Sequence, residues 1–75
     1  MMIYLERIGG DQNMRRFYRA TIAPTLFGDW VLIREWGRIG SPCGQRMEEW
    51  CGNEAKALDA MTRVVAAKRR RGYAG

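Results

Sequence analysis

Histidine is absent from this 75-residue chain, and serine occurs once, as Ser41, directly before a proline. Those two shortages remove most of the machinery of catalysis. No imidazole can act as a general base or activate a thiol, and Ser41 has no base to draw off its proton. The two cysteines, Cys43 and Cys51, cannot complete a zinc site, which wants four ligands, when histidine is missing. Two reduced thiols are the expected state. Glu48 and Glu49 are adjacent on a segment patterned as a strand, so they point to opposite faces and form no carboxylate pair. Lys56 falls on the solvent side of the helix. The inventory predicts no enzyme, no cofactor and no metal.

Long apolar runs are also missing. None approaches the roughly 18–20 residues that a membrane span requires. The opening MMIYLERIGG has no basic region followed by a long apolar one, so no signal peptide is read and a cytoplasmic location is expected, with no membrane partner. The short chain buries a modest core and reads as one domain, residues 1–75. With 47% of its residues apolar, it is expected to fold rather than remain disordered.

What the chain does have is positive charge, +5 net, with arginine as 11 of its 13 basic residues. Four of those charges stand together as Lys68-Arg69-Arg70-Arg71, leaving the body nearly neutral. Such a run suits either a solvated tail or a polyanion partner. The bias to arginine favours the second, because a guanidinium grips phosphate bidentately.

The apolar pattern sets out the elements. Residues 2–8 read as a first strand, ended by Gly9-Gly10-Asp11, with the loop continuing through Gln12 to Met14. Residues 15–22 alternate, placing Tyr18, Ala20 and Ile22 on a core face and leaving Arg16 and Arg19 outward or at the rim. Residues 23–28 form a hairpin loop, with Leu26 and Phe27 expected to tuck back. Trp30-Val31-Leu32-Ile33 is a continuous apolar run, the mark of a central strand buried at least partly on both faces. The loop 40–44 lacks a Walker ending and reads as a connection whose backbone lies near Trp36. Residues 45–51 give a fourth strand, with Met47 and Cys51 facing one way and Arg46, Glu48 and Trp50 the other.

Asn53 then caps a helix and Glu54 suits its positive end. Ala57, Leu58, Met61, Val64 and Val65 form the apolar stripe, opposite Lys56, Asp59, Arg63 and Arg70. The same wheel places Lys68 and Arg69 on the apolar side, so the helix either leaves the sheet near Ala67 or lets those stems snorkel. Gly72 stops it. The predicted fold is α+β: a four-stranded antiparallel sheet with one C-terminal helix packed on one face.

Past the central apolar run the chain reads Arg34-Glu35-Trp36-Gly37-Arg38-Ile39-Gly40. A flat indole, a glycine that admits close backbone approach and a planar fork of donors suit a planar, anionic ligand. The stretch Trp36 to Gly40 resembles the signature of the WGR domain, found in DNA-dependent poly(ADP-ribose) polymerases and in small bacterial proteins. Leu5-Glu6, Arg16-Phe17-Tyr18, Gly44-Gln45, Ala55 and the closing KRRRGY extend the likeness over almost the whole chain. The resemblance implies a compact sheet with a helix against it and no activity of its own. It also implies that Trp36 packs on the sugar of a nucleotide at a DNA break, that Gly37 lets backbone come close, and that neighbouring basic residues hold phosphates. The family's arginine also contacts neighbouring domains, so Arg38 is left between phosphate contact and an internal salt bridge.

Each of these residues has a plainer role available. Trp36 can be a packing residue, Trp30 and Trp50 core or rim, and Arg34 and Arg46 cross-sheet ion-pair partners. The sequence reading is a nucleic-acid-binding module, DNA ahead of RNA, using Trp36, Gly37, Arg38, Arg34, Gln45, Arg46, Lys68, Arg69, Arg70 and Arg71. The rival is a protein–protein interaction module with an exposed Trp and Arg as anchors, or a free sheet edge that pairs with a protein partner or with itself. The sequence sets no oligomeric state.

Overall fold

The computed structural model describes residues 1–9 and 14–75, so positions 10–13 of the expected turn lie outside the described residues, while Gly9 and Met14, also expected in it, instead pair as the last rung of the β1–β2 ladder. The described residues form four strands and one helix: β1 Met2–Gly9, β2 Met14–Pro24, β3 Trp30–Arg38, β4 Gly44–Cys51 and α1 Glu54–Arg70. Each strand pairs antiparallel with its neighbour in the chain, giving the order β1-β2-β3-β4. With α1 across one face, this is the α+β arrangement expected.

Period-two alternation on β2 buries Tyr18, Ala20 and Ile22, as read from the sequence. The register sets Leu5 and Trp36 on either side of Tyr18, and Leu32 beside Ile22, so all share one face. Ala57, Ala60, Met61 and Val65 of α1 close over them. Burying a side chain such as Leu32 is worth roughly 1.5–3 kcal/mol. Leu32→Ala, at a cost of about 2–5 kcal/mol, would remove much of the stability of so small a chain. On the other face Val31 is also buried, beside Ala23 and Trp50 in register. The central run is therefore buried at Leu32 beneath the helix and at Val31 on the face that carries no helix.

Two expectations fail on packing. Leu58 was placed in the apolar stripe but is 42% exposed, and Ala60 takes the buried position instead. The contact of α1 is a narrow line through 57, 60, 61 and 65, where two alanines let the helix lie close to the sheet. Leu26 and Phe27 were expected to tuck back but are 98% and 87% exposed. The strands run on to Pro24 and from Trp30, and Thr25 N–H bonds to the Asp29 carbonyl at 2.8 Å. So short a tip projects beyond the core and has nothing to fold onto.

Both ends of α1 are tied. Asn53 Oδ1 accepts from the Lys56 N–H at 2.9 Å, with Glu54 in the first turn. At the other end Gly72 takes φ +99°, and Tyr73 N–H donates to the Lys68 carbonyl at 3.1 Å. That turn lays Tyr73 edge-on to Tyr18, with ring centroids 6.4 Å apart. Ala74 then exchanges backbone hydrogen bonds of 2.8 and 2.9 Å with Glu6, covering the outer edge of β1.

Candidate nucleic-acid interface

Trp36 stands opposite Tyr18 on the helix side of the sheet, and the two rings stack at 6.2 Å with an interplanar angle of 20°. The indole is half-buried against the core. It also borders a cleft of about 430 Å³ walled by Arg15, Arg16, Gly37, Arg38, Gly44 and Gln45. Trp36 is therefore both a packing residue and a wall of the cleft. Gly37 lies opposite Gly44. A Cβ on Gly37 would stand 3.2 Å from Gly44 Cα, and one on Gly44 would stand 3.1 Å from the Trp36 carbonyl oxygen. The close backbone approach that Gly37 allows is thus, first, an approach of β4 to β3 at the cleft.

Charge gathers at this end of the sheet. Arg16 faces Arg7 on β1 and Arg38 on β3, three like charges in one cross-strand row. Directly opposed like charges destabilise a sheet. The ion pairs among the described residues use Arg19, Arg46 and Arg63, and none uses Arg7, Arg15, Arg16 or Arg38. Arg38 thus makes no internal salt bridge among the described residues.

The end of α1 adds to this group. The helix does not leave the sheet; it lets Lys68 snorkel. Lys68 Nζ lies 4.9 Å from the Tyr18 ring centroid and 5.6 Å from that of Tyr73. Burial holds its pKa below the usual lysine value, and Arg71, Arg34 and Arg16 push in the same direction. Arg34, opposite Ala20 and Met47, shares that face and donates to Met47 Sδ at 2.7 Å, a weak acceptor. Arg34 Nε and Tyr18 Oη are enclosed without a hydrogen-bond partner among the described residues. Burial is also the main cause raising the Tyr18 pKa.

Other predicted residues lie apart from the cleft. Gln45 faces Trp36 across the ladder, but its neighbour Arg46 points to the opposite face. There Arg46 sits 3.9 Å from Glu35 and 3.7 Å from Glu48, while Arg19 binds Glu35 at 3.0 Å. Arg69, Arg70 and Arg71 are exposed at the helix end, with Arg69 donating to the Gly75 carbonyl at 3.4 Å. Trp50, expected at core or rim, is 64% exposed on the open side. Arg7, Arg15 and Arg16 were not read as site residues. The Arg15-Arg16 doublet was the visible signal, but only the register aligns it with Arg38.

The model of the WGR domain family matches residues 1–75. The chain is 44% identical over 71 residues to the uncharacterized protein y4dW of Sinorhizobium fredii, covering 95% of this chain and 34% of that protein. It thus spans about a third of the length of the curated relative it matches. No solved structure matches the chain. No helix among the described residues is long and apolar enough to cross a membrane. With its Trp36-Gly37-Arg38 tripeptide bordering the cleft and the match running the full length, the chain belongs to the WGR domain family, binding modules associated with nucleic acids.

Proposed function

We propose that residues 1–75 act as a single cytoplasmic domain that binds nucleic acid, DNA ahead of RNA, at the Trp36 cleft and the basic end of the sheet, without catalysis. The observation that carries this reading is the row Arg7, Arg16 and Arg38, like charges with no ion-pair partner among the described residues, beside Trp36. Such a row costs stability in the free protein, and a phosphate backbone relieves it. Lys68, Arg34 and the exposed Arg69, Arg70 and Arg71 extend the positive surface toward the helix end. Trp36 is held rigid by Tyr18, so its free part packs on a sugar or base without losing much conformational freedom.

An indole set into a sheet end reaches a terminal nucleotide, whose face is open, and not one stacked within a duplex. With stacking worth about 1–3 kcal/mol per base, a preference for ends of roughly tenfold is expected. The test compares a linear fragment with the same fragment closed by hairpins at both ends, at two salt concentrations, with single-stranded DNA and duplex RNA as further arms. Affinity should fall steeply with salt, by about 0.9 in log K per phosphate contact for each unit of log salt. Equal affinity for the two DNA forms sinks end recognition; indifference to salt sinks the nucleic-acid reading itself.

A second reading, a protein-interaction module, is favoured by the exposure of Leu26, Phe27 and Trp50. Its binding would hardly respond to salt. The same titration separates the two.

A further inference from the structure

The outer edge of β4 carries no strand partner among the described residues, and its residues are exposed from Gly44 to Trp50. The other edge of the sheet is covered where Ala74 pairs with Glu6. Open edges are commonly blunted by proline, by charged side chains, lysine above all, or by a bulge. β4 contains neither proline nor lysine, pairs with β3 in unbroken register, and carries charges of both signs. We propose that β4 is a self-association edge: two copies of this chain join β4 to β4, antiparallel, about a two-fold axis at Met47.

Symmetry leaves few registers to consider. A two-fold axis relating adjacent antiparallel strands stands perpendicular to the sheet and keeps each face on its own side. Directly opposed residues then share a face, so the axis passes beside a residue and never between two. An axis at Met47 sets Arg46 against the partner's Glu48 and, by symmetry, Glu48 against the partner's Arg46. Gln45 meets the partner's Glu49, and Met47 meets its own copy. An axis at Glu48 sets that carboxylate against itself. Axes at Arg46 and Glu49 also oppose like charges, and they shorten the overlap. Among the long overlaps, the Met47 axis alone pairs unlike charges and opposes no like ones.

The same register suits the shapes along the edge. Gly44, which has no side chain, lies opposite the partner's Trp50, so the exposed indole can rest across the seam. Met47, itself 46% exposed, gains cover from its copy. The pairing rests on β4 alone and does not require the nucleic-acid reading.

The Met47 axis also sets Cys43 opposite the partner's Cys51, and both cysteines are free. Cys43 directly precedes β4 and Cys51 ends it; where the ladder carries on by one residue, their Cα atoms come about 4.5–5.5 Å apart, within the range of about 4.4–6.8 Å that a disulfide spans. The test uses this. Diamide, which takes up the two thiol hydrogens, should link the wild-type chain into a dimer on a non-reducing gel. Cys43→Ser and Cys51→Ala should each fail to link alone, and an equimolar mixture of the two should link, because each supplies the cysteine the other lacks. In reducing buffer, sedimentation equilibrium should show a monomer–dimer equilibrium. Arg46→Glu should weaken it roughly tenfold, as two cross-strand charge pairs are lost, and Arg46→Glu with Glu48→Arg should restore it. A chain that stays monomeric at every concentration overturns the proposal. So do single-cysteine variants that link as readily as their mixture.

Discussion

Arg16 and Arg38 stand directly opposite one another on β2 and β3, with Arg7 beyond Arg16 on β1. Arg16 is the middle charge of the row, so its removal relieves two repulsions at once. Arg16→Thr should therefore raise the thermal midpoint while weakening DNA binding and lowering the salt slope by about one unit. Relief of about 0.5–1 kcal/mol corresponds to a few degrees in a chain of this length. Thermal melts and a salt titration on the same sample check it. A lower midpoint would mean that Arg16 has a stabilising partner.

Trp36 stacks on Tyr18, so Trp36→Ala removes packing together with any ligand contact. It should lower the midpoint substantially, though by less than the roughly 3–5 kcal/mol of a fully buried Trp. Trp36→Phe keeps a ring on Tyr18 and should hold the fold while weakening DNA binding severalfold. If Trp36→Phe binds as the wild type does, the indole is structural alone.

Arg69, Arg70 and Arg71 are exposed, whereas Lys68 lies over Tyr18, Tyr73 packs on the core and Ala74 pairs with β1. Deleting residues 68–75 should therefore damage the fold. Replacing Arg69, Arg70 and Arg71 by Ser should leave the midpoint within a few degrees and lower the salt slope by roughly 2–3 units. An unchanged slope would reduce the run to a solvated helix end.

On the open face, the hydrogen bond from Arg19 holds the Glu35 carboxyl below the ordinary glutamate range, with Arg46 adding to the effect. A carboxylate lowered in this way stabilises the fold above its unfolded value of about 4.3. The contribution is lost as pH falls through the folded value. Glu35→Gln should therefore be less stable than the wild type near neutrality, with the gap closing below about pH 4. Denaturant midpoints measured across that range check it, and a gap independent of pH would refute the ion-pair account.

The sequence by itself determined what depends on local period and local chemistry. Alternation placed Tyr18, Ala20 and Ile22 inward. Asn53 and Gly72 marked the helix ends, and the run at Trp30 marked a central strand. The tripeptide marked where to look for a site. Each of these signals acts over a few residues, because side-chain direction repeats every 2 or about 3.6 residues whatever lies across the fold. Only the tertiary structure decided which arginines meet. Arg7, Arg16 and Arg38 are aligned by register, which depends on backbone pairing and core packing between residues distant in the chain. The rotation of α1 chose Ala60 over Leu58, and the length of the β2–β3 strands put Leu26 and Phe27 in solvent. Lys68 could snorkel rather than end the helix because Tyr18 and Tyr73 offered ring faces beneath it, and no local pattern in the chain encodes that meeting.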